Sequence, residues 1–226
     1  MKTNHIVLFI IILENIAFLS SHAQQVILKD GYVAISTEGL SQGMREDMST
    51  IYEKVPLGSL SNPQLVYRVK RQLQGADVNK LISPLFAIAP TNINKSGQSD
   101  NTAKMTWAEA GGWGENANTT LGDTPQYALE TGCPQYKGKD GNDTAGSWRL
   151  PNLREIHLIN RLMIGINAVA VQIDGFQDFG KQPYWSVIEL SAPYGLGIIL
   201  PADVNHGQYK KSDQLSVRCI KDLPAK

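Results

Sequence analysis

The 226 residues contain only two cysteines, Cys133 and Cys219. Whether they are joined decides how freely the second half of the chain can arrange itself, and that turns on where the chain travels. Residues 1–23 read MKTNHIVLFIIILENIAFLSSHA. Lys2 precedes an apolar run from Ile6 to Leu13 and a second from Ile16 to Leu19, with Glu14 between them. Ser21 and Ala23 place small residues at −3 and −1 of a cut before Gln24, which is the layout of a secretory signal peptide. The apolar run falls well short of the roughly 20 residues that a bilayer span needs. The sequence therefore predicts an exported chain, periplasmic, cell-surface or extracellular, with no membrane span after cleavage. No cysteine follows the apolar run, so no lipid anchor is expected. In an oxidising compartment two cysteines most simply pair with each other. A Cys133–Cys219 bridge closes a loop of about 87 residues, which contributes roughly 4–5 kcal/mol in the chain-entropy model. Two separate buried thiols are the other reading.

Charge excludes one class of partner. Lys and Arg number 21, Asp and Glu 21, and the balance is zero. Removing Lys2 and Glu14 with the leader keeps it at zero. Such a chain has no bulk field to attract a phosphate backbone, so nucleic acid is not an expected partner. With 42% hydrophobic residues the chain is too apolar to stay disordered.

Patterning along the chain predicts α+β architecture with helices and strands segregated. Residues 24–37 suggest short strands about an Asp30-Gly31 turn. Met44 to Tyr52 suits a helix, and Leu65 to Leu73 alternates as an edge strand does. Residues 24–80 are read together as a small N-terminal β-rich appendage, and 81–226 as the main domain. The apolar stretch from Leu81 to Ile93 carries Pro84 and Pro90, which suits an edge strand. Thr106 with Glu109 three residues on forms a capping box, and Gly111, Gly112 and Gly114 stop that helix. A second short helix is expected over Pro125 to Thr131. Residues 137–147 form a Gly/Asp turn cluster. Pro151 forbids helix before it, and Asn152 can cap a helix after it. Leu153, Ile156, Ile159 and Leu162 then recur at helical spacing, predicting a helix over 153–163. Tyr184 to Glu189, Gly195 to Leu200 and Leu215 to Ile220 read as strands.

The order Thr106-Trp107-Ala108-Glu109-Ala110, Cys133, Trp148-Arg149-Leu150-Pro151-Asn152-Leu153-Arg154-Glu155, Tyr184-Trp185-Ser186, Val217-Arg218-Cys219-Ile220-Lys221-Asp222 carries a family resemblance. In it the chain resembles the Lcl C-terminal family of secreted bacterial domains, over about residues 81–226. That family is related in fold to C-type lectin-like modules and, distantly, to the formylglycine-generating, sulfatase-modifying enzymes. The resemblance implies a C-type-lectin-like domain with short helices and a twisted antiparallel sheet whose terminal strands pair. It implies that Cys133 and Cys219 are a structural bridge. It also implies a place among the secreted and fimbrial adhesin-type proteins of Bacteroidetes. Trp107, Trp148, Arg149, Leu150, Pro151, Glu155, Trp185 and Arg218 read as its fold signature. In such a fold Trp148, Trp185 and the Leu153/Ile156/Ile159 face are core, and Arg149 pairs with Glu155 to hold the turn before the helix.

Motifs for chemistry are sparse. His157 and His206 lie in no metal-ligand spacing, and no GxSxG, P-loop or GxGxxG occurs. The formylglycine-generating enzymes need reactive thiolates, which a bridge removes. The calcium–sugar triplets of C-type lectins are missing as well, since Gln182-Pro183-Tyr184 lacks the third oxygen ligand. Asp140, Asn142 and Asp143 offer closely spaced oxygens as a weak calcium candidate, against the reading of a solvated turn. No catalytic residue and no cofactor are expected. Trp113, Tyr127, Tyr136, Tyr194 and Tyr209 are the candidate ligand-contacting aromatics, and residues 111–120 and 191–211 the candidate binding loops. The expected role is a non-enzymatic binding domain for a surface glycan or protein, in adhesion. The alternative is a structural or accessory subunit of a fimbrial or other surface assembly, with other fimbrial or outer-membrane subunits as partners.

Overall fold

The computed structural model describes residues 24–39, 52–57, 64–69, 82–112, 131–191, 193–201 and 206–224, with backbone alone for 52–57, 64–69, 189–191 and His206. The chain opens with a hairpin. Strand β1 (Gln25–Lys29) and strand β2 (Tyr32–Ser36) pair antiparallel across Asp30 and Gly31. Both turn residues have positive φ, 51° and 76°, the backbone that lets a two-residue turn follow the twist of its strands. Strands β3 (Tyr52–Leu57) and β4 (Gln64–Val69) form a separate antiparallel pair. Of the helix expected over Met44 to Tyr52, only Tyr52 is described, and it opens β3.

Strand β5 (Leu85–Ile88) is not an edge strand, as its prolines suggest. It lies between β2 and β10 (Ile220–Asp222), in a five-stranded sheet of order β1-β2-β5-β10-β6, where β6 is Trp148–Arg149. Pro84 and Pro90 stand outside the four paired residues, so no ladder donor is lost, and all four side chains are buried. Residues 25–36, on the far side of the boundary drawn at residue 80, supply two strands of this same sheet.

Helix α1 (Trp107–Gly111) has the capping box read from its sequence: Thr106 Oγ1 accepts from the Glu109 amide, and Glu109 Oε2 accepts from the Thr106 amide. Gly112 ends it at φ 77°, where a Cβ would meet Pro134 at 2.6 Å. Helix α2 (Leu153–Arg161) repeats the arrangement with Asn152 and Glu155. It buries Leu153, Ile156, Leu158 and Ile159. Helix α3 (Met163–Ala170) comes directly after it and extends the helical region beyond the expected end. Its sequence, MIGINAVA, is apolar on nearly every side, so no 3.6-residue period betrays it. The helix expected over Pro125 to Thr131 lies outside the described residues, Thr131 apart.

Strands β7 (Gln182–Ser191), β8 (Tyr194–Leu200) and β9 (His206–Lys210) form a second antiparallel sheet. The stretch expected as a strand over Leu215 to Ile220 enters the ladder only at Ile220. Before that it straps the two sheets together. Leu215 exchanges backbone bonds with Met105, Ser216 with Pro183 and Trp185, and Val217 and Cys219 accept from Ile93 and Ala89. Two indoles tie α1 to β7: Trp107 Nε1 donates to the Ser186 carbonyl and Trp185 Nε1 to the Met105 carbonyl, both at 2.9 Å. Antiparallel sheets with a few short helices make the fold α+β.

Cys133 and Cys219 form a buried disulfide with Cα atoms 5.5 Å apart. It joins the 3-10 turn Cys133–Gln135 to the strap. Replacing both with alanine should lower stability by about 4 kcal/mol, a fall in Tm of roughly 10 °C for a chain of this size. Calorimetry under non-reducing conditions checks it, and an unchanged Tm would contradict a stabilising bridge.

Candidate functional site

Arg149 shows what its motif is for. Pro151 keeps Leu150 out of the helical region, so the chain turns sharply and Asn152 caps α2. The Glu155 carboxylate, buried completely at the third position of that helix, faces back toward β6. Arg149 Nη1 and Nη2 donate to Glu155 Oε2 and Oε1, both at 2.9 Å. Nη2 also reaches Asp222 Oδ1 at 2.6 Å, Nε reaches Asp222 Oδ2 at 3.1 Å, and Nη1 reaches the Leu150 carbonyl at 3.2 Å. Those bonds occupy the five N–H groups of a guanidinium. Glu155 accepts two more, from the Ser83 amide at 3.0 Å and the Asn152 amide at 2.8 Å. Arg149 and Glu155 thus hold β6, α2, β10 and the approach to β5 together.

Trp148 faces a second knot. Its ring takes edge contacts from Tyr32 and Tyr136, at centroid distances of 5.3 and 4.8 Å. Its Nε1 donates to Asp143 Oδ2 at 2.7 Å, and Asp143 Oδ1 receives the Lys221 ammonium. Two expectations change here. Tyr136 is not a surface aromatic: it is core, and its hydroxyl is buried without a hydrogen-bond partner among the described residues. Asp143 does not point into an open calcium turn, because the indole and the ammonium occupy both its oxygens. Asn142 is exposed beside it. Among the described residues no three His, Cys, Asp or Glu gather to hold a metal ion. Burial pushes the Tyr136 hydroxyl far above its ordinary pKa. Burial raises Tyr32 too, against a hydrogen bond from the Lys139 amide, with Asp143 and Asp140 adding to the rise.

Arg218 is likewise interior. Nε donates to Asn92 Oδ1 at 2.9 Å, and Nη1 lies 3.1–3.3 Å from the carbonyls of Ala89, Pro90 and Gln177. The guanidinium lies 4.2 Å from the Phe179 ring centre. Burial lowers its pKa to about 10. Of the other candidates, Trp113 and Tyr127 lie outside the described residues. Tyr194 and Tyr209 are half-buried, the latter edge-on to Trp185 at 6.0 Å. The 191–211 stretch is mostly strand rather than loop, being β8 and β9. His157 is half-buried on α2.

An open cleft of about 440 Å³ lies where the β1–β2 turn, the 137–147 turns and the segment after α3 meet. Leu28, Gly31, Lys139, Asp140, Gln172, Ile173 and Asp174 line it. Ile173 is buried and gives an apolar floor, while Asp140, Gln172 and Asp174 are exposed. Gly31 has φ 76°, a backbone that favours glycine, and Lys139 Nζ lies 2.5 Å from where a Cβ would stand, so a side chain there would displace the end of the lysine. The cleft thus sets carboxylates, an amide and an ammonium around one buried apolar side chain. Asp140 is the one expected site residue in this cleft. The others went unread because each turn is legible alone, and nothing local says that residues 28–31, 139–140 and 172–174 meet. Comparison of the chain with protein-family models finds no match, and comparison with curated proteins finds none.

Glu155→Gln should destabilise the protein by about 3–5 kcal/mol, the cost of leaving a buried charge without its partner, whereas Asp222→Asn, at the solvent edge, should cost about 1 kcal/mol. Denaturant unfolding measures both, and equal effects would contradict the assignment. A second expectation concerns pH. Tyr32 and Tyr136 are held neutral in the fold, so their contribution is fully present below about pH 10, the ordinary tyrosine pKa, and is lost as pH rises beyond it. Tyrosinate absorbance should show Tyr136 ionising only together with unfolding, and Tyr32 ionising later than an exposed tyrosine. Ionisation of all eight tyrosines in folded protein would contradict this.

Proposed function

We propose that this protein is an exported, non-enzymatic binding domain of C-type-lectin-like fold, akin to the Lcl C-terminal family, which engages a surface glycan or protein in adhesion. The observation that carries the reading is a division of labour among polar groups. Those of the signature residues Arg149 and Glu155 are turned inward and bonded, while Asp140, Gln172 and Asp174 stand in solvent around an apolar floor. Pairing of β5 with β10, the first and last strands of the 81–226 region, supports the fold assignment. Both cysteines being bonded to each other supports binding rather than thiolate chemistry.

A glycan array and a capture assay against isolated surface proteins, run with and without calcium, test the proposal. Binding should appear and weaken at least tenfold, about 1.4 kcal/mol, in the Asp140→Ala/Asp174→Ala double variant with Tm unchanged. No ligand on either platform, or binding indifferent to those changes, would overturn it.

A further inference from the structure

Strand β1 ends the five-stranded sheet, and among the described residues no strand pairs with its outer side. The tight turn determines which of its backbone groups look outward. Lys29 pairs with Tyr32, Ile27 with Ala34 and Gln25 with Ser36. In a two-residue hairpin the pair flanking the turn exchanges both hydrogen bonds, and such pairs alternate along an antiparallel ladder. Gln25, Ile27 and Lys29 therefore direct N–H and C=O to β2. The N–H and C=O of Val26 and Leu28 point away from the sheet.

Those outward groups are complementary to themselves. A second β1 laid antiparallel about a two-fold axis at Ile27 sets Val26 opposite the partner's Leu28, and Leu28 opposite the partner's Val26. All these residues have outward N–H and C=O, so each pair exchanges two hydrogen bonds. Ile27 meets the partner's Ile27 as a non-hydrogen-bonded pair, with Cα atoms about 4.5 Å apart. Gln25 meets the partner's Lys29, an amide beside an ammonium whose own Asp30 lies 3.7 Å away. No like charges face each other, and Leu28, 47% exposed, gains an apolar neighbour.

Helix α3 supplies a second, separate observation. It packs on both β1 and β2, on the face that Val26 and Leu28 share: a Cβ at Gly165 would lie 3.1 Å from Val26 Cγ2. Its outer side exposes Ile164, Asn167 and Ala168, with Val171 just past its end, a mainly apolar surface where a surface helix usually carries polar residues. Strands stand about 4.8 Å apart, so a helix over β1 and β2 lies about 5 Å from the axis. The two copies of α3 then run about 10 Å apart, the spacing of packed helices. Five strand residues alone cover too little for a stable interface of about 1,200–2,000 Å², and the helix flank adds area on the same side.

We infer that the protein forms a two-fold dimer through β1, a second copy of this chain completing the sheet edge and covering the apolar flank of α3. The two five-stranded sheets become one continuous sheet. This holds whatever ligand the cleft takes.

Light scattering on protein purified from an exporting host should give twice the mass of one chain. Leu28→Pro removes an outward donor, which an edge strand tolerates, and trims the apolar side chain that the proposed interface would cover. It should weaken the dimer at least tenfold while circular dichroism and Tm stay as in the parent. Ile27→Cys brings the two new sulfurs within disulfide reach across the axis, and oxidation should yield a covalent dimer whose bridge peptide mass spectrometry identifies. A single-chain mass even at millimolar concentration would overturn the inference, including the case where the chain's own residues cover the edge. So would a dimer that Leu28→Pro leaves intact and Ile27→Cys does not cross-link.

Discussion

One guanidinium holds four parts of the chain in place. Arg149 sits on a two-residue strand that has almost no ladder of its own, yet it bonds the helix entrance through Glu155 and the last strand through Asp222. Glu155 carries the connection on to Ser83, which leads into the central strand β5. A buried ion pair of this kind gives little net stabilisation against an apolar replacement, and a large penalty when one partner is lost. Its role is to specify. In this arrangement of β6, α2, β10 and the residues before β5 every guanidinium donor is bonded, and moving any one of them away leaves a donor or a carboxylate short of a partner.

The remaining structure depends on that arrangement. With β10 held beside β5 and β6, the preceding residues 215–219 must cross from the second sheet to the first, and the disulfide anchors that crossing to the turn at Cys133. Trp148, adjacent to Arg149, is thereby placed between Tyr32 of β2 and Tyr136 of the turn. The first hairpin is bound into the same core, and its turn comes to stand beside Lys139 and Asp140. The cleft is a consequence of interior bonding, which is why its residues are scattered in sequence.

Local features were the legible ones. Thr106 with Glu109, and Asn152 after Pro151, announce helix starts because capping is a matter of three or four adjacent residues. The Asp30-Gly31 turn is legible for the same reason. What depends on partners far away was not. Pro84 and Pro90 suggested an edge, yet they flank a strand that is central, since only position relative to the ladder matters. Helix α3 lacks a polar face and so lacks a period. Tyr136 is indistinguishable in sequence from a surface tyrosine, and Asp143 from a solvated turn residue, until Trp148 and Lys221 are brought to them.

The central claim is that the Arg149 cluster makes the helix entrance and the first and last strands of the 81–226 region one cooperative unit. Native-state hydrogen exchange tests it most directly. The amides of Ser83 and Asn152, bonded to Glu155, and of Leu223, bonded to the Leu85 carbonyl, should open with the same free energy as the most protected core amides. Exchange of Leu223, the residue that continues β10's pairing with β5, at a much lower free energy than Ser83 and Asn152 would mean that this end of the sheet opens on its own, and would contradict the account.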